Sequence, residues 1–282
     1  MKIILAQQAG FCFGVRRATQ IAFEAAGKNQ HTFTLGPIIH SPQVVGKLEE
    51  LGIKALNSLD GLEQGTIIIR SHGVERKELD EARQRNLDVV DATCPFVKKA
   101  HEYVKTLSEA GYWVVVVGDA DHPEVQGIVS YGGDKDKVHV VASGDDVRKL
   151  PKMNKIGVIA QTTQSFENLK NVVCECLLRG GEIRVYNTIC DATADRQEEA
   201  KTLSGQVDSM VVIGGFNSAN TGRLFEVCRA IQPRTYQIET ASEIKSGWFD
   251  GIETVGITAG ASTPKWIIDE VINKIEQLNK RD

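Results

Sequence analysis

The sequence predicts an α/β protein made of three pseudo-repeated small α/β domains with parallel-type sheets. Three observations carry this expectation. Short apolar, β-branched runs alternate with helical patterns along all 282 residues. Several runs are apolar throughout, such as Trp113–Val117 and Met210–Ile213, which suits strands buried on both faces. Three cysteines, Cys12, Cys94 and Cys190, each stand between a strand end and a helix start, a self-similarity at about one third of the chain.

The elements follow in order. Strands are expected at Lys2–Gln7, Thr32–Leu35, Thr66–Arg70, Asp88–Asp91, Tyr112–Val117 and Lys137–Val141. Further strands are expected at Lys155–Ala160, Ile183–Asn187, Ser209–Ile213, Arg234–Ile238 and Thr254–Thr258. Helices are expected at Val15–Ala25, Pro42–Leu51, Arg76–Arg85, Val97–Ala110, Phe166–Leu178, Arg196–Leu203, Thr221–Ile231 and Pro264–Lys280. The repeat sharpens at the loops. His40, His122 and Ser218 each lie 28 residues after their cysteine and between a strand and a helix. A third strand ends before His72, Thr162 and Ser262, at looser offsets.

Composition narrows the classes. Charged residues are 25% and hydrophobic residues 41%, a globular balance that excludes a disordered, collagen-like or coiled-coil chain. A net charge of −4 argues against a nucleic-acid partner. The longest apolar run is far below the roughly 20 residues that cross a bilayer, and no secretory signal is visible. A cytoplasmic protein with no membrane partner is expected. Six cysteines in 282 residues are too sparse for a disulfide scaffold, and reduced thiols in that compartment more often ligate metal or catalyse. Cys174, Cys176 and Cys228 fall in helical stretches and read as buried filler.

The loop residues suggest chemistry. Ligands of parallel sheets sit at strand carboxyl ends, where all nine positions lie. Three thiolates fall short of a structural zinc site but can hold three corners of an iron–sulfur cube, leaving one iron open. His40, His72, His122, Thr162, Ser218, Asn220 and Ser262 are hydrogen-bonders at expected helix N-termini, which favour a phosphate or diphosphate. Glu124, the acid of these loops, suits a proton carrier. Its place in a first helical turn would favour the ionised form, whereas an acid needs the protonated one. Gly118, Gly214, Gly215 and Gly260 read as turn glycines, and neither a dinucleotide fingerprint nor a Walker pattern is present. Two other classes fit the residues: a non-catalytic iron–sulfur sensor or scaffold, and a cluster-free enzyme with Cys94 or Cys12 as nucleophile.

The combination Gly10-Phe11-Cys12-Phe13-Gly14, Gly36-Pro37-Ile38-Ile39-His40, Arg70-Ser71-His72-Gly73, Asp91-Ala92-Thr93-Cys94-Pro95, His122-Pro123-Glu124, Gln161-Thr162-Thr163, Thr188-Ile189-Cys190, Asn217-Ser218-Ala219-Asn220 and Ala259-Gly260-Ala261-Ser262 resembles the 4-hydroxy-3-methylbut-2-enyl diphosphate reductase family over essentially the whole chain. The resemblance implies a trefoil of three domains around a central 4Fe-4S cluster on Cys12, Cys94 and Cys190, which can be isolated as 3Fe-4S. It implies that His40, His72, His122, Ser218, Asn220 and Ser262 hold the allylic diphosphate substrate. Glu124 would supply protons, with Thr162 close to the substrate hydroxyl. The implied reaction yields isopentenyl and dimethylallyl diphosphates with two electrons and two protons, the last step of the methylerythritol phosphate pathway. One departure is visible: many members carry a serine where this chain has Ala219. The expected domains are 14–95, 96–187, and 188–282 joined by strand 1–13. A monomer is expected, served by a ferredoxin- or flavodoxin-like donor that Arg16, Arg17, Lys98 and Lys99 could dock.

Overall fold

The computed structural model describes residues 1–26 and 31–279. Its strands are β1 (Lys2–Leu5), β2 (Thr32–Leu35), β3 (Lys54–Leu56), β4 (Thr66–Ile69), β5 (Asp88–Asp91) and β6 (Trp113–Val117). They continue as β7 (Val138–Val141), β8 (Lys155–Ala160), β9 (Glu182–Val185), β10 (Ser209–Ile213), β11 (Thr235–Ile238) and β12 (Thr254–Ala259). They form three four-stranded sheets, ordered β3-β2-β4-β5, β7-β6-β8-β9 and β11-β10-β12-β1. Every pairing is parallel, so the α/β expectation holds.

The three sheets share one plan. In the first two, the strands in chain order occupy places second, first, third, fourth. In the last sheet β10, β11 and β12 take the first three places and the N-terminal β1 takes the fourth. In this order the connections reverse direction between the first and third strands, the point where parallel sheets bind ligands. The expected polar loops follow those two central strands, and each expected ligand cysteine follows the edge strand in fourth place.

The chain divides into two compact units. One comprises Met1–Arg16, His40–Val44 and the chain from Asp191 onward, and holds the sheet of β10. The other comprises Arg17–Ile39 and Val45–Cys190, and holds the sheets of β2 and β6.

Burial on both faces explains the apolar strands. In β6, Val115 and Val117 join a core with Leu169, Val172 and Cys176 of the helix Phe166–Leu177. Val114 and Val116 point the other way, onto Ala100, Val104 and Leu107 of the helix Pro95–Glu109 and Val125 and Ile128 of the helix Pro123–Ser130. β10 repeats this, with Val211 and Ile213 on one face and Met210 and Val212 on the other. Successive strand side chains alternate faces, and full burial of each contributes about 1.5–3 kcal/mol.

Five local expectations change. β3 lacked a sequence signal because it is a three-residue edge strand, Lys-Ala-Leu, paired only with β2. The helix expected from Arg196 begins at Asp191, so the helix starts directly after Cys190. The helix Phe13–Ala26 likewise starts directly after Cys12. The C-terminal helix spans Lys265–Asn279, and the expected end at Lys280 lies outside the described residues. Cys176 and Cys228 are buried as expected, but Cys174 is exposed, because its position on the helix Phe166–Leu177 turns away from the face of Val172 and Cys176. Among the described residues, no helix is long and apolar enough to cross a membrane.

Candidate active site

In the unit of β6, the expected residues converge at helix starts. Cys94 caps the helix Pro95–Glu109, with Pro95 in its first turn, where a missing N–H costs nothing. Its N–H donates to the Ser71 carbonyl at 2.9 Å, tying the cysteine to the loop of His72. Arg70 fixes that loop, its Nε donating to the Gly73 carbonyl at 3.0 Å. The His72 and His122 rings meet edge to face, with centroids 5.6 Å apart.

His122 caps the helix Pro123–Ser130, its Nδ1 accepting the Glu124 N–H at 3.1 Å. The Glu124 side chain is 1% exposed. One carboxyl oxygen accepts the Thr162 N–H at 2.6 Å and the other accepts the Thr162 hydroxyl at 2.9 Å. Burial pushes the Glu124 carboxyl up to about 7, against the two Thr162 hydrogen bonds, which pull it down. The opposing pulls expected from helix start and acid role are therefore resolved by desolvation, before any ligand is considered. Thr162 also orders the third cysteine, its carbonyl accepting the Cys190 N–H at 3.0 Å.

The unit of β10 gathers the other residues. Cys12 precedes the helix Phe13–Ala26 and donates its N–H to the Ala261 carbonyl at 3.2 Å, next to Ser262. The buried Arg196 guanidinium grips the loop before Cys12, donating to the carbonyls of Gln8 at 2.9 Å and Gly10 at 2.8 Å. The Ser262 hydroxyl donates to the His40 carbonyl at 3.0 Å. Ser218 caps the helix Ala219–Ile231, its hydroxyl accepting the Thr221 N–H at 3.3 Å. Asn220 is 5% exposed, yet neither its amide nitrogen nor its amide oxygen has a hydrogen-bond partner. A buried amide left unpaired costs about 1–3 kcal/mol, which makes this side chain a candidate for contact with a polar ligand.

Some readings shift. Gly260 is more than a turn residue, since a Cβ there would stand 2.1 Å from Thr221 Oγ1. The loop after β12 must press onto that helix start. Arg17 donates to the carbonyls of Thr93 and Asp91, each at 3.3 Å, and Lys98 pairs with Asp91 at 2.6 Å. Both cations are thus engaged within their own unit. Sequence reasoning passed over Arg196 and Gln161. Gln161 is 1% exposed with an unpartnered Nε2, while its Oε1 accepts the Asp119 N–H at 3.2 Å. A buried arginine on a charged helix carries no sequence signal. Gln161 did have one, its place beside Thr162 after a central strand. Among the described residues, no three His, Cys, Asp or Glu side chains are gathered as a metal ion would need.

Comparison with known proteins identifies the family. A family profile described as LytB protein matches residues 3–276. The 4-hydroxy-3-methylbut-2-enyl diphosphate reductase of Pelobacter propionicus is 73% identical over 282 residues, covering 100% of both chains. That of Geobacter sulfurreducens is 68% identical, covering 100% of this chain and 99% of its own. A solved structure of (E)-4-hydroxy-3-methyl-but-2-enyl diphosphate reductase, described as the terminal enzyme of the non-mevalonate pathway, is 45% identical with a TM-score of 0.72. That match covers 98% of this chain and 100% of the other. The E-1-hydroxy-2-methyl-but-2-enyl-4-diphosphate reductase of Plasmodium falciparum is 25% identical with a TM-score of 0.89, over 96% of this chain and 87% of its own. With a family match over nearly the whole sequence and full-length relatives at this identity, the chain belongs to the LytB family.

Proposed function

We propose that this chain reduces 4-hydroxy-3-methylbut-2-enyl diphosphate to isopentenyl and dimethylallyl diphosphates, releasing the hydroxyl as water with two electrons and two protons. The observation that carries the reading is the buried Glu124 carboxyl, pushed up to about 7 and held at both oxygens by Thr162. A carboxyl poised near neutral pH in a dry site is suited to general-acid work.

The donor set suits an iron–sulfur cluster. Cys12, Cys94 and Cys190 are in no disulfide, each is partly buried and each stands at the start of a helix, and soft thiolates are the usual ligands of such clusters. These three would hold a 4Fe-4S group with one iron open to substrate. When bound, the cluster would relay electrons from an external donor one at a time and would offer a Lewis-acidic iron. The chain's own residues do the rest. His40, His72, His122, Ser218, Asn220 and Ser262 offer donors to the diphosphate at helix starts. Thr162 positions Glu124, whose proton reaches the leaving hydroxyl through the diphosphate or through the Thr162 hydroxyl, which accepts the Glu124 proton as it gives up its own. The apolar strands behind these loops keep bulk water out.

Electrons come from a separate carrier, for which we infer a small acidic ferredoxin- or flavodoxin-like protein. We also keep three domains, 14–95, 96–187 and 188–282 with 1–13, each built on one sheet. The test is anaerobic purification followed by incubation with the diphosphate, dithionite and a viologen mediator. A brown protein that consumes the substrate supports the reading. A brown protein that does not consume it favours the sensor, and a colourless protein without iron or sulfide overturns both.

A further inference from the structure

We propose that His101 is a positioning residue, its imidazole acting as the spacer that sets the His72 loop against the helix carrying Glu124. The proposal rests on the roles assigned above to His72 and Glu124. His101 lies on the helix Pro95–Glu109, which begins at Cys94, and it is 6% exposed. Its ring stacks on Tyr131 with centroids 4.3 Å apart and planes 12° apart. Tyr131 ends the helix Pro123–Ser130, whose first turn holds Glu124.

Two glycines make room for the ring. Gly73 follows His72 at φ +74, and a Cβ there would stand 2.9 Å from His101 Cε1. Gly127 lies on the Glu124 helix, and a Cβ there would stand 3.3 Å from His101 Nε2. The imidazole therefore fills the space between the His72 loop and the Glu124 helix at near-contact distance on both sides. Gly127 is three residues beyond Glu124, on the same side of the helix. A displacement at Gly127 is thus passed to the carboxyl one turn away. Nε2 is buried without a hydrogen-bond partner, so the ring is not held there by a polar network and its volume does the positioning.

Charge does not alter this. The groups facing the ring are Asp91, which favours its protonated form, and Lys98, which opposes it. Burial outweighs both and brings the imidazole down to about 4, so it is neutral at working pH. A cavity of about 230 Å³, lined in part by His101, Tyr131, Val74 and Leu79, borders the ring. Truncating the side chain would join that cavity and leave the loop and the helix free to shift.

The experiment compares His101→Ala, His101→Phe and Glu124→Gln in the cluster-loaded enzyme across pH, and follows thermal unfolding of the same proteins across pH. His101→Ala is expected to lower kcat roughly 10- to 100-fold, the effect of about 1 Å of misplacement, with a smaller change in KM. The limb of the pH profile near 7 should move down, as water reaches Glu124. The fall in melting temperature as Glu124 ionises, read without turnover, should shrink. His101→Phe, which keeps a ring of similar size, should restore all three toward wild type. If His101→Ala keeps kcat, limb and melting profile while Glu124→Gln is inactive, the spacer is overturned and the acid reading stands. An active Glu124→Gln overturns the acid reading itself. If His101→Ala does not fold, Gly127→Ala carries the test. Helix propensity alone predicts a stabilised, fully active variant, and that result overturns the spacer. The spacer predicts a reduced kcat with a shifted limb.

Discussion

Glu124 and Asn220 occupy the same place in two copies of one plan, yet their surroundings are opposite. Each is the second residue of a helix, two positions after its cap, His122 or Ser218. Each follows the strand in second place of its sheet, β6 or β10. Each is buried, at 1% and 5% exposure. Glu124 has both oxygens satisfied by Thr162. Asn220 has neither amide atom satisfied. The first is satisfied within the protein, and the second is open to the ligand proposed above. Folding therefore raises the Glu124 carboxyl in advance, while Asn220 keeps a buried amide unpaired. Four measurements can break this contrast or sharpen it.

The largest expected effect is at Glu124. Glu124→Gln keeps the shape and an oxygen for the Thr162 N–H, and its amide nitrogen can donate to the Thr162 hydroxyl in place of accepting from it, but it has no acidic proton to give. Turnover should fall by roughly 10²- to 10⁴-fold, the usual worth of a positioned acid. Iron content and substrate affinity should stay near wild type. In the wild type, kcat/KM should fall as pH rises through about 7, where Glu124 ionises. A Glu124→Gln enzyme with near-normal turnover would remove the acid from the mechanism.

The second effect is on stability, read with no substrate present. The Glu124 carboxyl is raised from 4.5 to about 7 in the folded state, so the native protein holds its proton more tightly than the unfolded chain. Its contribution is fully present below pH 4.5 and is lost as pH rises through 7. At 1.36 kcal/mol per unit, the loss is about 3 kcal/mol. Denaturant unfolding at pH 5 and pH 8 should show it in the wild type, and Glu124→Gln should abolish the difference.

The acid's burial is also where sequence reasoning stopped. The sheets were legible because strands covered on both faces must be apolar along their length, as Val114–Val117 and Met210–Ile213 are. The candidate loops were legible because each repeat places them at a strand end. Glu124's environment was not, since it depends on Thr162, 38 residues away in the chain. The local signal, a carboxylate in a first helical turn, points toward easier ionisation, and long-range desolvation overrides it. His101 was illegible for a related reason. On its helix it follows the same face as Val97, Ala100 and Val104, and only the two glycines from other segments reveal what the ring separates.

At Asn220 the signs reverse. Asn220→Leu replaces an unpaired buried amide by an apolar group of similar volume. The substrate-free protein should gain stability, by up to about 1–3 kcal/mol, because the unmet desolvation cost disappears. The diphosphate loses a donor worth about 1.5–3 kcal/mol to a charged partner, so KM should rise roughly 10- to 150-fold. Thermal unfolding and steady-state kinetics on one preparation read both changes. A variant less stable than wild type would mean that Asn220 supports the fold rather than awaiting a ligand.

The smallest effect separates side chain from backbone at that same helix start. Ala219 is the first residue of the helix Ala219–Ile231, half-buried between the cap Ser218 and Asn220. The N–H groups of a first helical turn have no intrahelical acceptor, so the backbone there already offers donors to an anion. Ala219→Ser adds one hydroxyl at this point. A net hydrogen bond of about 0.5–1.5 kcal/mol would lower KM by roughly two- to tenfold, with kcat unchanged because such a contact is made equally in the ground and transition states. Titration of the substrate into Ala219→Ser and wild type by calorimetry decides it. Tighter binding would show that the alanine leaves a gap in the diphosphate site. Equal affinity would show that the helix N–H groups already fill that role, and that Asn220 supplies the side-chain contact this turn requires.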